Sequence, residues 1–295
     1  MDWIDPRSPL ALKAALAQAG ARPRKRWGQH FLVDRNIFMR MVSVLAAAHP
    51  PERGPVLEVG AGPGGLTVSL LEAGYQVWAV EIDPLWEPGL LALKRRFPRA
   101  LTVVMGDALH LSWADLGAAG PDAPWAVTGN LPYYATAPLL AKLWEDALYW
   151  DQAVLMVQRE AAARLTAAPG SRETTALSVE LHLIGIPREV ATVSRRLFYP
   201  PPAVDSAIFS IRRRPGPPPV PMETARRVLA AAFGARRKTL ARALGDRRVA
   251  GWDHETWAAR LQALAIDPGR RAERLELGEW ERVIGLVAAA PAPSP

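Results

Sequence analysis

"PVLEVGAGPGGLT", Pro55 to Thr67, runs from an apolar stretch straight into a glycine-rich turn. Pro55–Gly60 is apolar except for Glu58, as a strand covered on both faces must be. The glycines that follow allow a tight strand-to-helix turn and let a ligand approach the backbone closely. The spacing Gly60-x-Gly62-x-x-Gly65 matches a dinucleotide fingerprint, and Glu81 follows about twenty residues on, where an acid meets ribose hydroxyls. No lysine follows the glycines, so a Walker-type phosphate loop is excluded.

Outward from this turn, strand-like runs alternate with helical ones. They are Tyr75–Asp83, Leu101–Asp107, Trp125–Asn130 and Gln152–Glu160, followed by a strand pair in "REVATVS" (188–194) and "SAIFSIRRR" (206–214). The pattern predicts an α/β fold with a mostly parallel, doubly wound sheet. Upstream, Ser8 is placed to cap a helix that has Pro9 at its first position and Gly20 as its stop. Downstream, "PGPPPVP" (Pro215–Pro221) makes a linker, and the chain beyond it reads as helices only. The expected division is an N-terminal helix and basic arm over 1–24, a catalytic domain over 25–214, a helical domain over 222–288 and a disordered tail over 289–295.

Of the 295 residues none is cysteine, which rules out disulfides, thiolate metal sites and a cysteine nucleophile. The five histidines never reach metal-ligand spacing, so no metal is expected. No apolar run approaches the roughly 20 residues that span a bilayer. Asp2 and Asp5 at the start argue against a signal peptide, so a cytoplasmic monomer without membrane contact is expected. The net charge of +7 is uneven: Arg195 to Arg248 carries 13 Lys or Arg against three acids, a local +10, so the other residues sum to −3. A second basic cluster is "RPRKR", with Arg24, Lys25 and Arg26. Clustered cations on an otherwise balanced chain point to a polyanion, nucleic acid above all. Within the helical region Arg227, Lys238 and Arg242 recur at i, i+11 and i+15, a spacing that brings them to nearly one face of a continuous helix. Val228, Leu229, Phe233, Leu240 and Leu244 then form its buried face.

The glycine turn by itself leaves a nicotinamide enzyme and an S-adenosylmethionine (SAM) enzyme both open. Two later features separate them. Asp107 ends the third strand, where a carboxylate can accept a hydrogen bond from an adenine amino group, and "GNLPY" ends the fourth. Gly60, Glu81, Asp107 and Asn130 thus close four successive strands and line one crevice at their carboxyl ends. Asn130-Leu131-Pro132-Tyr133 suits an exocyclic amine. The Asn130 amide and the Leu131 carbonyl can hold the two N–H bonds of adenine N6 and turn its lone pair toward a methyl donor. Pro132 stiffens the loop, and Tyr133 offers a ring for the base to stack on. The tetrapeptide resembles the fourth motif of amino-group methyltransferases acting on nucleic-acid adenines.

"KRWGQHFLVD" (Lys25–Asp34), the glycine motif, "GNLPYY" and "FYPPPAVDSAIF" (Phe198–Phe209), in that order, resemble the KsgA-type ribosomal RNA adenine dimethyltransferases. "AFGARRKTLARAL" (Ala232–Leu244) and "RAERLELGEW" (Arg271–Trp280) resemble that family's C-terminal domain, so the likeness covers about Lys25 to Trp280. It implies a Rossmann-like seven-stranded SAM-methyltransferase sheet with an antiparallel last strand and a small helical domain. It implies dimethylation of N6 on two adjacent adenosines in the 3′-terminal hairpin loop of small-subunit ribosomal RNA, in step with subunit biogenesis, with an immature small subunit as partner. Motif by motif, Gln29, His30 and the Leu32 backbone match the segment that closes over SAM. Gly60 and Gly62 match its methionine side, Glu81 and Ile82 its ribose side, and Asp107 and Ala108 its adenine side. Asn130 matches a residue touching both SAM and target, and Phe198 an aromatic that helps Tyr133 hold the flipped base. The basic residues Arg24, Lys25, Arg26, Arg227, Arg236, Arg237, Lys238 and Arg242 are the expected RNA contacts. Trp27 departs from the usual Phe and His30 from the commonest Asn.

Two rivals remain at this level. A large-subunit adenine methyltransferase of the resistance type shares the catalytic motifs, although "AFGARRKTL" and the long helical region argue against it. A ribosome-assembly checkpoint, in which methylation is secondary, is the rival from a different class.

Overall fold

The computed structural model describes residues 2–20, 22–24, 28–112, 116, 124–132, 135–145 and 150–290. Lys25, Arg26, Trp27, Tyr133 and residues 291–295 of the expected tail lie outside the described residues. The strands are β1 (Phe31–Leu32), β2 (Val56–Val59), β3 (Val77–Glu81), β4 (Leu101–Met105), β5 (Trp125–Asn130), β6 (Trp150–Gln158), β7 (Gly185–Val193), β8 (Phe198–Tyr199) and β9 (Ser206–Arg213). Seven of them form one sheet in the order β4-β3-β2-β5-β6-β9-β7, and β1 and β8 make a separate two-stranded ribbon. The pairs β2–β3, β3–β4, β2–β5 and β5–β6 are parallel, and β6–β9 is antiparallel. The expected architecture is present, with its last strand inserted antiparallel beside β6.

Strand order reverses at β2, whose neighbours are β3 on one side and β5 on the other. In an open α/β sheet, the crevice outside the carboxyl ends of the strands at this reversal is where a ligand sits. β2 is buried at all four residues, which fits its continuous apolar reading. The helix Gly65–Glu72 that follows the glycine turn is buried over Gly65–Leu71. It packs so close to Arg35–Ala46 that a Cβ on Gly65 would come within 2.8 Å of the Phe38 ring. Asp34 starts that second helix by accepting the Ile37 N–H at 3.0 Å, and the helix buries Phe38, Met41, Val42 and Leu45.

The N-terminal stretch is built into the same core. Ser8 caps the helix Pro9–Gln18, accepting the Ala11 N–H as its sequence position predicts. Leu12 and Leu16 enter the main apolar cluster. Just before the helix, the buried Arg7 guanidinium donates to both Glu72 carboxylate oxygens, at 2.6 and 2.8 Å, and to Ser69 Oγ at 3.2 Å. Asp5 accepts from the same guanidinium. Trp3 donates its indole N–H to the Pro63 carbonyl of the glycine turn at 3.4 Å.

The chain divides into two compact units, one of residues 1–162 and 188–213 and a second of 163–187 and 214–295. The second therefore takes in residues 163–187 as well as everything after the linker, which a division by linear order does not anticipate. The capped helix Ala176–Ile184 packs there against Met222–Phe233 and Leu277–Ala288. The basic face differs from expectation. The helix after the linker stops at Phe233 with Gly234 as its cap, and a new helix begins only at Leu240. A Cβ at Gly234 would come within 2.8 Å of the Ala230 carbonyl. Arg227 thus stands on one helix, Lys238 on the connecting turn and Arg242 on the next helix, so no single helical stripe exists. Val228, Leu229, Leu240 and Leu244 are buried as their spacing predicts. Phe233 is only partly buried and stacks on Trp280 at 5.6 Å.

Replacing Arg7 by methionine removes its bonds to Asp5, Glu72 and Ser69 Oγ and so unties the N-terminal segment. Urea unfolding of that variant is expected to show a loss of about 2 kcal/mol relative to the parent.

Candidate active site

A cavity opens at the carboxyl ends of β2, β3 and β5, and the glycine turn forms its floor. Gly60 and Gly62 have φ of 78° and 53°, in the left-handed region that side chains with a Cβ avoid. The turn is fastened to the neighbouring strand: the Gly60 and Ala61 N–H groups donate to the Val80 carbonyl at 2.9 and 3.1 Å. One residue further, the Gly62 N–H donates to Glu81 Oε2 at 2.7 Å, and the Asp83 N–H donates to Glu81 Oε1 at 2.7 Å. Glu81 is thereby held rigid at the end of β3. Burial raises its pKa, and these backbone donors oppose the rise.

Beneath the turn lies a second acid, Glu58, at the third position of β2. It lines the cavity while only 1% exposed, and its Oε2 has no hydrogen-bond partner among the described residues. Burial first, and the neighbouring Glu81 charge in addition, push its pKa up to about 8. Sequence reasoning gave Glu58 no role. Its sole signal was an acid inside an otherwise apolar strand, a placement that is costly unless something offsets it.

The segment Gly28–Leu32 forms the opposite wall. The Gln29 amide Nε2 donates to Asp83 Oδ2 at 2.9 Å, and its Oε1 accepts the Arg24 N–H at 2.9 Å. The Arg24 guanidinium lies 3.7 Å from Asp83 Oδ1. Asp83, 1% exposed, is a second residue that sequence reasoning passed over, because an Asp before Pro reads as a turn. Phe31 meets Trp86 edge to face at 5.2 Å. Asn130 donates its Nδ2–H to the His30 carbonyl at 3.1 Å, which leaves Oδ1 as the acceptor the amide presents. Leu131 is anchored by its N–H on the Met156 carbonyl at 3.0 Å. The Pro132 carbonyl accepts from Ala135 N–H and Thr136 Oγ.

Of the expected site residues, Gln29, His30, Leu32, Gly60, Gly62, Glu81, Ile82, Asn130, Leu131, Pro132 and Phe198 all line this one cavity. Asp107 and Ala108 do not line it. Asp107 accepts the Leu109 N–H at 2.9 Å, with its other oxygen 3.3 Å from His110 Nδ1. Pro6 is a wall residue that no local pattern flags, because the chain is brought there by the N-terminal helix. In the second unit Arg227, Arg236, Arg237, Lys238 and Arg242 are exposed. Arg236, Arg237 and Lys238 line a shallow depression with Arg247, and Lys238 pairs with Asp246 at 2.5 Å. Among the described residues no cluster of His, Asp or Glu is arranged to hold a metal, and no helix is long and apolar enough to cross a membrane.

The family model for ribosomal RNA adenine dimethylase matches residues 20–285. The chain belongs to that family. As a ribosomal RNA adenine dimethylase, it is an adenine methyltransferase. A small-subunit ribosomal RNA methyltransferase A from Anaeromyxobacter sp. (strain K) is 38% identical over 285 residues, covering 92% of this chain and 97% of that one. A crystal structure of a dimethyladenosine transferase from Plasmodium falciparum superposes with a TM-score of 0.68 at 23% identity, over 88% of this chain and 98% of the other, a likeness of fold. The 23S rRNA methyltransferase ErmE superposes with a TM-score of 0.63 at 27% identity, over 88% and 99%.

A carboxyl group whose native pKa is raised binds its proton more tightly in the folded state than in the unfolded chain. Glu58 therefore supports folding fully below about pH 4.5, and that support is lost as pH rises toward about 8. Glu58→Gln removes the titration. Its thermal midpoint is expected to fall less than the parent's between pH 5 and pH 8, and melting curves across that range check it.

Proposed function

We propose that this adenine dimethylase uses SAM to dimethylate N6 of two adjacent adenosines in the 3′-terminal hairpin loop of small-subunit ribosomal RNA. The observation that carries the reading is the Asn130 amide, set by the His30 carbonyl beside a cavity built for a cationic nucleoside. Several features suit SAM. Glu81 lines the cavity beside the glycine turn, Ile82 lines it next to Glu81, and the buried Glu58 has an oxygen on the same cavity with no hydrogen-bond partner among the described residues. Gly60 and Gly62 leave room for the methionine end, and Gln29, His30 and Leu32 close the opposite wall. Asp107 and Ala108 complete the adenine side in this reading.

SAM supplies an electrophilic sulfonium methyl. The chain's part is to orient the amine. Asn130 Oδ1 and the Leu131 carbonyl accept the two N–H bonds of N6 before the first transfer and the one that remains before the second. As the methyl leaves, its bonding pair stays on the sulfur, and each transfer sheds one N6 proton to solvent. Pro132 stiffens the loop. Phe198, 4% exposed on the cavity wall, flanks the base together with Tyr133. Alignment of this kind contributes several kcal/mol without a general base. The position of Asn130 on the cavity supports this reading.

The small-subunit assignment is supported by relatives named small-subunit methyltransferase A at 36–38% identity, against 27% for the large-subunit enzyme. The exposed cations of the second unit are the proposed RNA contacts, along with Arg24, Lys25 and Arg26. The cations of the second unit belong to a proposed RNA-binding helical region of residues 222–288, and the partner in this reading is an immature small subunit in the cytoplasm.

Purified protein is given methyl-labelled SAM with unmodified small and large ribosomal subunits, and nucleosides are resolved by mass spectrometry. Label as N6,N6-dimethyladenosine at adjacent adenosines of the small subunit is expected, and label confined to the large subunit sinks the reading. Asn130→Ala is expected to lower the rate by about a hundredfold or more while subunit binding persists. An assembly factor with incidental methylation would instead lose no biogenesis function in that variant. Arg236→Ala with Arg237→Ala is expected to weaken subunit binding and to lower the slope of log affinity against log salt by about two.

A further inference from the structure

Two cations stand at the short strand that walls the cavity, and the site as described uses neither. Phe198 and Tyr199 form β8, which pairs with Leu32 and Phe31 of β1, and Phe198 lines the cavity. The Lys13 ammonium, on the helix Pro9–Gln18, sits over the Tyr199 ring, 5.4 Å from its centroid. Arg196 belongs to the short turn Arg195–Leu197 that leads directly into Phe198. Both residues are exposed, and both belong to the first compact unit, which also holds the cavity. Neither lines the cavity itself.

Their surroundings leave both charges available to a partner. Among the described residues no acid pairs with Lys13 or with the Arg196 guanidinium. The helix that carries Lys13 has no acid between Pro9 and Gln18. One turn on, Ala17 is exposed on the same face, and its short side chain admits a bulky partner. Arg195 behaves differently from its neighbour. Its N–H donates to Asp205 Oδ1 at 2.9 Å and its guanidinium to the Ala203 carbonyl at 3.0 Å, so it is spent on its own loop. Arg196 bonds through its main-chain N–H, to Ser194 Oγ at 3.3 Å, and leaves its side chain to solvent.

We propose that Lys13 and Arg196 bind RNA phosphates flanking the target adenosine, holding the backbone at the rim while the base turns in against Phe198. This rests on the function proposed above and names a grip that the catalytic unit has on its substrate, separate from the cations of the second unit. Turning a base out of its stack is costly, and the strand on either side must be held in the turned-out shape. Phosphate contacts set the position and register of a strand without reading its sequence, which is the task at this place. The Tyr199 ring keeps the Lys13 charge at the strand through its negative face.

Lys13→Ala, Arg196→Ala and the double variant are compared with Lys13→Arg and Arg196→Lys, which keep the charge. The SAM dissociation constant is measured on the free protein, and kcat/KM is measured for unmodified small subunits over a range of salt. The double alanine variant is expected to lower the slope of log kcat/KM against log salt by about two. Its deficit against the parent then shrinks roughly tenfold between about 50 and 200 mM salt. Lys13→Arg and Arg196→Lys are expected to keep the parent's slope, and SAM affinity is expected to be unchanged in every variant. The chain has no cysteine, so Ala17→Cys provides a single thiol beside Lys13 for a tethered iron chelate. Hydroxyl radicals from it are expected to cut the RNA next to the dimethylated adenosines.

Unchanged kcat/KM in the double alanine variant overturns the proposal, as does a deficit that salt leaves constant. So does an equal deficit in the charge-keeping and alanine variants. If SAM affinity falls by the same factor as kcat/KM, the residues act on the cofactor cavity and the phosphate grip is wrong. Cuts confined to distant RNA, or no cuts where the subunit is bound, place this rim against another part of the subunit and likewise overturn it. A parent protein that forms no N6,N6-dimethyladenosine refutes the proposed function instead, which keeps the two failures apart.

Discussion

The carboxylate of Glu81 holds the cavity together. One oxygen takes the Gly62 amide from the glycine turn, and the other takes the Asp83 amide from the loop after β3. Two strands and two loops are thereby locked at the point where sheet order reverses. A buried carboxylate is tolerable because charge-assisted bonds from backbone donors offset much of its desolvation. Asp83, placed by that bond, receives Gln29 and Arg24 and so draws the opposite wall across. From there the chain of contacts continues through His30 to Asn130 and Pro200. The Asn130 amide is thus fixed by a series of hydrogen bonds that begins at the neighbouring strand.

The acids of this cavity divide their work by environment. Glu81 is satisfied at both oxygens, while Glu58 lies deeper with one oxygen unpartnered and a pKa near 8. A cationic ligand in the cavity lowers the cost of ionising Glu58, so ligand binding and proton release are linked. The N-terminal segment belongs to the same assembly. Arg7 ties it to the far end of the helix that leaves the glycine turn, and Trp3 reaches the turn itself. A stretch that reads as an appendage is a buttress for the floor of the site.

Much of this was legible in the chain. Continuous apolar runs ending in Gly60, Glu81 and Asn130 located three strands and the crevice at their ends, because a strand buried on both faces leaves polar residues only where it stops. The Ser8 cap and the buried face of Val228, Leu229, Leu240 and Leu244 follow from local rules of the same kind. Asp107 was legible as a strand end, yet its carboxylate bonds to its own loop and the described cavity does not include it. The continuous basic helix failed for a different reason. Gly234 ends it after Phe233, so the periodicity of Arg227, Lys238 and Arg242 was counted across a break.

By itself, the sequence determined the parallel sheet, the glycine turn with its acid and the family, since each is a pattern of neighbours or of fixed spacing. The tertiary structure alone decided that His30 touches Pro200 across 170 positions, that Arg7 grips Glu72, that Pro6 walls the cavity, and that residues 163–187 pack with the C-terminal helices. These contacts join segments far apart in the chain. Their partners are selected by the shape of the packed core and by the need to pair buried donors and acceptors, and no local spacing records that choice.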